Sequence, residues 1–431
     1  MYMKLRFVSV LVLAVTVMAQ TPSNAQDKVW TLRECLDYAL ENNIQLQQKQ
    51  NSYESSLEDT KSAKGAFLPS VSAGVSQGLT EYVTLGGSPR YNGSYNLSAD
   101  MTLYNGGKLR NAYRKSLVQN SIDSLSVEEN VNDIRVSIVQ AYMQCLYSKE
   151  SIVVNEGNVE SSRAQMERAE QLWKAGSISK VDYAQLQSQY QSDEYQLVVA
   201  RNSYESSKLT LKQLLELNIL DEIEISDIDA GEAEVLALIP SKAEVFASAK
   251  DYMPQILRGE QQVKSAEYAI AQAKAGFLPS LSLSAGTGTS NNTFNSLGSQ
   301  VADNLNANVG LSLRVPIFSQ NQNRTAVRKA QIAYDNSVLQ AAGLEKDLLK
   351  QVETTYLDAI SAQSQYISAK QKLDYAQASY DLTFEQFGVG YKNTVELITA
   401  QNELVSAKQS VVLAKYTSLR NLNVLDIYQG K

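Results

Sequence analysis

Histidine is missing from all 431 residues, so the usual general base and the commonest metal ligand are both unavailable. Cysteine is nearly missing. Cys35 and Cys145 are too few for a disulfide framework or a thiolate metal site. Both fall on expected helices and read as buried free thiols, with a disulfide as the lesser option in an oxidising compartment. There is no Gly-x-Ser-x-Gly elbow, phosphate loop or paired-cysteine motif. The lone carboxylates sit on charged helices, where solvation explains them. An enzyme is therefore not expected, nor is a cofactor or a bound metal. The modest acidic balance of −7 argues against nucleic acid, which favours clustered Lys and Arg.

Proline is scarce as well: seven in the chain, none between Pro89 and Pro240 or after Pro316. Ala, Gln, Ser, Leu and Lys dominate those spans, which is the composition of long helices. Long apolar runs are lacking except at the start. Lys4 and Arg6 precede an apolar stretch from Phe7 to Ala19, and Ser23-Asn24-Ala25 forms a small-x-small cleavage site. The stretch is about 13 residues, short of the roughly 20 a membrane helix needs. Residues 1–25 read as a secretion signal, and no cysteine follows to direct lipoprotein processing. If the mature chain enters a membrane, it must do so as β-strands.

What is present is written twice. The segment Ala63-Lys64-Gly65-Ala66-Phe67-Leu68-Pro69-Ser70 recurs as Ala273-Lys274-Ala275-Gly276-Phe277-Leu278-Pro279-Ser280. Arg110, Ala112, Arg114 and Lys115 recur as Arg324, Ala326, Arg328 and Lys329, and Gly176, Val181 and Gln187 as Gly390, Val395 and Gln401. A small frame shift between these blocks points to a loop insertion at residues 290–300. The expected organisation is a first repeat over 26–217, an acidic linker over 218–240 forming an equatorial belt, a second repeat over 241–425, and a tail at 426–431. Each repeat runs helix, two strands, long helix, tight turn, helix.

The strands are read from a period of two. Val71, Ala73, Val75 and Leu79 alternate with Ser70, Ser72, Gly74 and Ser76, and a turn at Gly86 to Pro89 follows. Tyr95, Leu97, Ala99, Met101 and Leu103 then alternate with polar residues. Leu281, Leu283 and Ala285, then Ala307, Val309, Leu311, Leu313, Val315 and Ile317, repeat the pattern. Strands of about 10 residues suit a tilted membrane crossing. The polar face carries Asp100 and Arg314 in equivalent positions, as a water-filled lumen allows; they read equally well as plain solvated charges. Phe67, Tyr82, Tyr91, Tyr104, Phe277 and Phe318 sit near strand ends, where aromatic girdles occur. Four strands cannot close alone, since single-chain barrels start at about 8. An open edge in lipid leaves backbone groups unpaired, so the barrel must be shared between chains.

Helices are expected at 111–173 and 325–387, each roughly 95 Å long. Shorter ones at 31–66, 179–217, 241–276 and 393–425 flank them, so that two antiparallel rods of matched length hang from one end of the barrel. At the far end, Gly176 can take the left-handed conformation that closes a helix, and Ser179 with Asp182 caps the next. Gly390, Asn393 and Glu396 repeat the scheme.

These features together resemble the TolC family of outer-membrane efflux proteins. The duplicated Phe-Leu-Pro-Ser, the paired turns around Gly176 and Gly390, and the segment 387–404 with Val395-Glu396-Leu397 and Gln401-Asn402 carry the likeness. The resemblance implies a mixed α and β membrane protein: a transmembrane β-barrel with four strands per chain, shared by a homotrimer, continuing into a long α-helical coiled-coil barrel in the periplasm. It implies an efflux or secretion duct that docks a periplasmic adaptor and an inner-membrane transporter at its far tip. Gly176, Ser177, Ile178, Gly390 and Tyr391 would form the docking turns. Lys392, linked to Asp182 and Phe387, would hold the tip closed, and Glu396 would line the constriction. The family's second acidic position is Thr399 here, a departure from a double acidic ring. Asp182 and Glu396 also have the spacing of plain capping carboxylates, and Phe387 that of ordinary helix packing. Two rivals stand beside this reading: a secreted coiled-coil adhesin or scaffold, which does not explain the strands, and a passive pore, which does not explain the rods.

Overall fold

The computed structural model describes residues 29–81, 90–218, 220–228, 230–292 and 297–430. The expected signal, the Gly86–Pro89 turn and Tyr82 lie outside the described residues. Strand β1 (Val29–Trp30) leads into α1 (Leu32–Asn42), whose start is fixed by a capping box between Thr31 and Glu34. The helix expected over 31–66 is broken once. Asn43 is extended, and its side chain accepts from the Leu46 N–H at 3.0 Å to start α2 (Ile44–Gly65). The second half breaks at the same place: α6 (Lys242–Tyr252) ends at Met253, and Pro254 opens α7 (Pro254–Ala275). Proline cannot donate into the preceding helix and pushes the residue before it out of helical geometry.

After α2 come β2 (Ser70–Thr80), β3 (Arg90–Asn105), α3 (Lys108–Lys174) and α4 (Lys180–Leu214). The linker contributes β4 (Glu224–Ile225) and α5 (Glu232–Val235). Then follow β5 (Ser280–Asn291), α8 (Leu297–Asp303), β6 (Asn306–Arg314), α9 (Gln322–Gly388) and α10 (Thr394–Tyr428). Both long helices have 67 residues, about 100 Å at helical rise, and α4 and α10 have 35 each. Helix α10 continues past the expected end at Leu425, because Ile427 and Tyr428 pack on the equatorial core; the first half of the expected tail is helix. Strand β6 stops at Arg314, short of Val315 and Ile317.

The four long strands form one antiparallel sheet in the order β2-β3-β5-β6. Register sorts its faces: Val71, Ala99, Ala285 and Val309 fall in one cross-strand row, and Ser70, Asp100, Ser284 and Gly310 in the next. A bulge between Thr102 and Tyr104 makes Leu103 the extra residue, so that Tyr104 rather than Leu103 stands opposite Leu281. Gln77 is the polar residue of the apolar row on β2. It donates to the Tyr95 hydroxyl at 2.9 Å and accepts from that of Tyr91.

The helices continue the order of the strands. Near the sheet α3 lies between α2 and α7, and α7 lies against α9; further down, α4 packs on α3, α3 on α10, and α10 on α9. The described residues thus form a wall whose sheet ends in unpaired edges at β2 and β6 and whose helices end in free flanks at α2 and α9. Its best-packed region is the middle, where Tyr142 is fully buried and its hydroxyl lies 3.1 Å from the Trp30 carbonyl and 2.7 Å from that of Ser226. This ties α3 to the parallel pair β1–β4 and so anchors both the start of the described chain and the linker. Burial raises the Tyr142 pKa and pushes that of Cys145 up to about 12; Cys35 and Cys145 are both buried and form no disulfide.

The sheet-to-helix turn is strained in both halves. Gly106 and Gly107 take φ of 65° and 82°, and at the corresponding place Gln320 and Asn321 take 48° and 63°. At Gly106 a Cβ would also come within 2.7 Å of the Leu278 Cβ and 2.9 Å of the Ala275 carbonyl. Left-handed backbone and overpacking each cost on the order of 1–2 kcal/mol. Gly106→Ala should therefore destabilise each subunit by about 2–4 kcal/mol, read as a lower midpoint in thermal unfolding.

Lower down, Asp193 is 4% exposed and held by Gln189 at 2.9 Å, with Ser162 and Asn158 as weaker hydrogen-bond partners. Burial raises its pKa from the ordinary 3.8. Folding therefore shifts this carboxyl towards its protonated form. The penalty for ionising it is absent below 3.8 and complete once pH exceeds the raised folded value. Asp193→Asn should raise stability at pH 7 by about 1 kcal/mol, and the gain should vanish only in melts run near pH 3 or below.

The paired turns and the two strand faces

The two tips are built alike. Ser177 N–H donates to the Leu172 carbonyl at 2.8 Å and Tyr391 N–H to that of Gln386 at 2.9 Å, the long hydrogen bond of a Schellman ending. Gly176 (φ 77°) and Gly390 (φ 80°) carry the left-handed step; with open space around both, backbone conformation alone requires glycine there. Ser179 and Asn393 then open α4 and α10, each closing a capping box with Asp182 and Glu396 respectively.

The residues that the resemblance assigns to a gate are brought close in part. Asp182 reaches across to the second turn, accepting a hydrogen bond from the buried Thr394 hydroxyl at 3.0 Å. Lys392 does not meet Asp182 within the chain; it pairs with Glu396 one helical turn on. Phe387 is half-buried at the end of α9, and the ring contacts at this level belong to its neighbour Phe384, which stacks on Tyr380 and lies under the Arg168 guanidinium at 5.9 Å. That guanidinium also lies 3.1 Å from where a Cβ on Gly388 would stand. Arg168 and Phe384 were not legible in advance; the available signal was Gly388 itself, a second glycine where the first turn has Lys174. Trp173 and Tyr183 stack across the first turn, 5.3 Å apart. Of the docking-turn residues, Tyr391 is 87% exposed, Ser177 is exposed and Ile178 is half-buried.

Hydrogen bonds from Ser179 and then Thr394 hold the Asp182 pKa below its ordinary 3.8. The Lys392 hydrogen bond and the Asn393 backbone do the same for Glu396 against 4.5. For depressed carboxylates the contacts persist above these values and are lost as pH falls through the lower folded ones. The Asp182 and Glu396 contacts should therefore persist from pH 7 to about 5 and loosen only below about 4, as carboxyl titration by NMR would read.

At the other end, Asp100 and Arg314 are both exposed on the polar face. Asp100 pairs across from Ser284 and Arg314 from Ser280, on opposite sides of β5 and about 13 Å apart along it, so they make no pair. The opposite face is apolar and bare: Val71, Val75, Leu79, Val309, Leu311 and Leu313 are all at least 64% exposed. No described helix is long and apolar enough to cross a membrane. A sheet with one bare apolar face, one polar face and two open edges is not a finished soluble structure.

A sequence profile described as outer membrane efflux protein matches residues 35–216 and 246–431. The chain belongs to that family. Among curated relatives, this efflux protein is 24% identical over 74% of its length to the alkaline protease secretion protein AprF of Pseudomonas aeruginosa, covering 66% of it. It is 21% identical to the outer membrane efflux protein BepC of Brucella suis over 90% of its own length and 82% of the relative. Among solved structures, CusC superposes with a TM-score of 0.81 at 17% identity, over 92% of this chain and 91% of that one. The fold is thus the mixed α and β fold of these channels, the location is the outer membrane, and the family is one of transport channels rather than enzymes. A secreted adhesin or scaffold is not favoured.

Proposed function

We infer that this efflux protein is one subunit of a homotrimeric duct, exporting solutes or polypeptides from an envelope-spanning pump and closing at its helical tip. The observation that carries the reading is the coincidence of open edges: among the described residues β2 and β6 are each paired on one side only, and the helices continuing them, α2 and α9, flank the wall on the same two sides. Joining β6 of one copy to β2 of the next satisfies the backbone in lipid, and three copies give a twelve-stranded barrel with the serine- and asparagine-rich face inward. Helix α9 supports this with Ile332, Leu339, Ile360, Ile367, Tyr375 and Leu382, all exposed and within about 100° of arc. Such a stripe fits a coiled-coil seam against the neighbouring copy.

The two halves descend from one duplicated unit, with 26–217 and 241–425 as repeats and 218–240 as the equatorial connection. The helical part occupies the periplasm. There the exposed tip around Tyr391, Val389 and Val181 docks an adaptor protein, and through it an inner-membrane transporter. Asp182 and Thr394 keep the turns together, and Lys392, Glu396 and Phe387 complete the gate. Asp100 and Arg314 line the lumen. Relatives are named for alkaline protease secretion, pyoverdine export and cation efflux, so one duct design serves different cargo. The test is cell fractionation with unheated denaturing gels. The protein should sit in the outer membrane and run as a heat-sensitive trimer that conducts in planar bilayers; a soluble monomer would contradict the reading.

A further inference from the structure

The chain carries 46 acidic and 39 basic residues, yet charge is sharply segregated where sheet meets helix. Residues 108–118 and 322–332, the first turns of α3 and α9, hold seven Lys or Arg and no Asp or Glu. Lys64 and Lys274 add to them from the last turns of α2 and α7, at the same level: Phe67 meets the Tyr113 ring at 6.3 Å, and the Asn323 amide reaches the Gly276 carbonyl at 2.5 Å. The next carboxylates along the long helices, Asp123 and Asp335, are engaged by Gln119 and Gln331.

Helix stability does not account for this pattern. Lys64 and Lys274 suit helix C-termini, but Arg110, Arg114, Arg324 and Arg328 stand at N-terminal ends, where the macrodipole disfavours positive charge. Neither helix has an acidic residue in its first turn. All four arginines are exposed in the single chain; Arg324 and Arg328 continue the exposed stripe of α9, which sets them at the junction with the neighbouring copy. The sheet above ends in exposed Phe67, Tyr104, Phe277 and Phe318, an aromatic girdle of the kind that marks a lipid boundary. Two helical turns beyond it span about 10 Å, comparable to the headgroup layer of one leaflet.

We propose that these arginines bind the phosphate groups of anionic phospholipid in the leaflet adjoining the helical part. The ring clamps the barrel at a fixed depth, with guanidinium forks taking phosphate oxygens in pairs. The proposal rests on the reading of a membrane-inserted barrel. Three copies place twelve such arginines around one circumference.

The test uses the purified oligomer in vesicles of phosphatidylcholine alone or mixed equally with phosphatidylglycerol. The thermal midpoint of oligomer dissociation should rise with phosphatidylglycerol and lose that rise in high salt. Native mass spectrometry should show about tenfold more retained phosphatidylglycerol than phosphatidylcholine. The Arg110→Gln, Arg114→Gln, Arg324→Gln, Arg328→Gln variant should lose both effects, while the matching Arg→Lys variant keeps the salt-sensitive rise. Should the glutamine variant fail to assemble, the lysine variant and the salt titration of the native chain decide. An equal response to both lipids overturns the proposal. So does the same stabilisation by inorganic phosphate in phosphatidylcholine vesicles, or a glutamine variant that changes only the ion selectivity of the pore. A protein that inserts and conducts but shows no lipid preference sinks this inference alone; one that never inserts sinks the functional reading.

Discussion

Replacing Asp182 and Lys392 together by alanine should raise single-channel conductance severalfold in planar bilayers. Asp182 contributes twice, through the cap of α4 and through the hydrogen bond that holds Thr394 of α10. The interturn bond is worth about 1 kcal/mol. Three symmetric copies bring roughly 3 kcal/mol to a tip whose open and closed forms differ by only a few, enough to change their ratio about 100-fold. Removing Lys392 frees Glu396 at the same constriction and adds to the effect. Thr394→Val separates the parts: it deletes the cross-link between the turns and leaves the Asp182 cap intact. It should open the channel in the same direction, by less. Unchanged conductance in both variants would remove these residues from the gate.

Placing an arginine at Val309 should abolish assembly in the outer membrane, whereas an arginine at Asn308 should be tolerated. The two positions are adjacent on β6 and point to opposite faces, Asn308 with the polar row and Val309, 79% exposed, with the apolar one. A lipid-facing arginine near the middle of a barrel costs about 2–4 kcal/mol per chain, and three copies multiply it. At Asn308 the same side chain enters water. Membrane-fraction yield and heat-resistant trimer on gels read the difference. Equal yields would mean that the apolar face does not meet lipid.

Much of this architecture was legible because its parts obey simple periods. A period of two named the strands and their faces, and the absence of proline named the long helices. The positive-φ glycines at Gly176 and Gly390 marked the tips. The details that escaped depend on contacts between distant segments. Nothing local distinguishes Leu103 as a bulge, because the residue after it, Tyr104, is also apolar enough for the lipid face. Pro254 did carry a signal for the break in the second half. Asn43 was quieter, since asparagine is common inside polar helices. Gln320 in a left-handed conformation has no signature at all; the equivalent Gly106 is its only hint.

At the tip, sequence alone brought forward the right turns but not all of their contacts. Lys392 was expected to reach Asp182, yet within the chain Glu396 lies nearer because it follows one helical turn later. Arg168 lies near the end of α3, close to the first turn but far in sequence from the second. Its place over Phe384 and against Gly388 is set by how α3 and α9 cross, which no spacing reveals. The basic ring was visible as repeated Arg and Lys, but its meaning came only once the strands and helices were seen to meet at one level.

Cysteine cross-linking between the two open edges tests the central claim most directly. In a background with Cys35 and Cys145 replaced, single cysteines on β2 at Ser70, Ser72 or Ser76 would be paired with one on β6 at Asn308, Ser312 or Arg314. Oxidation of membranes should give covalent dimers and trimers and nothing larger, for those pairs whose register matches. Monomers closed on themselves, or ladders that continue beyond three, would contradict a barrel pooled from three sheets.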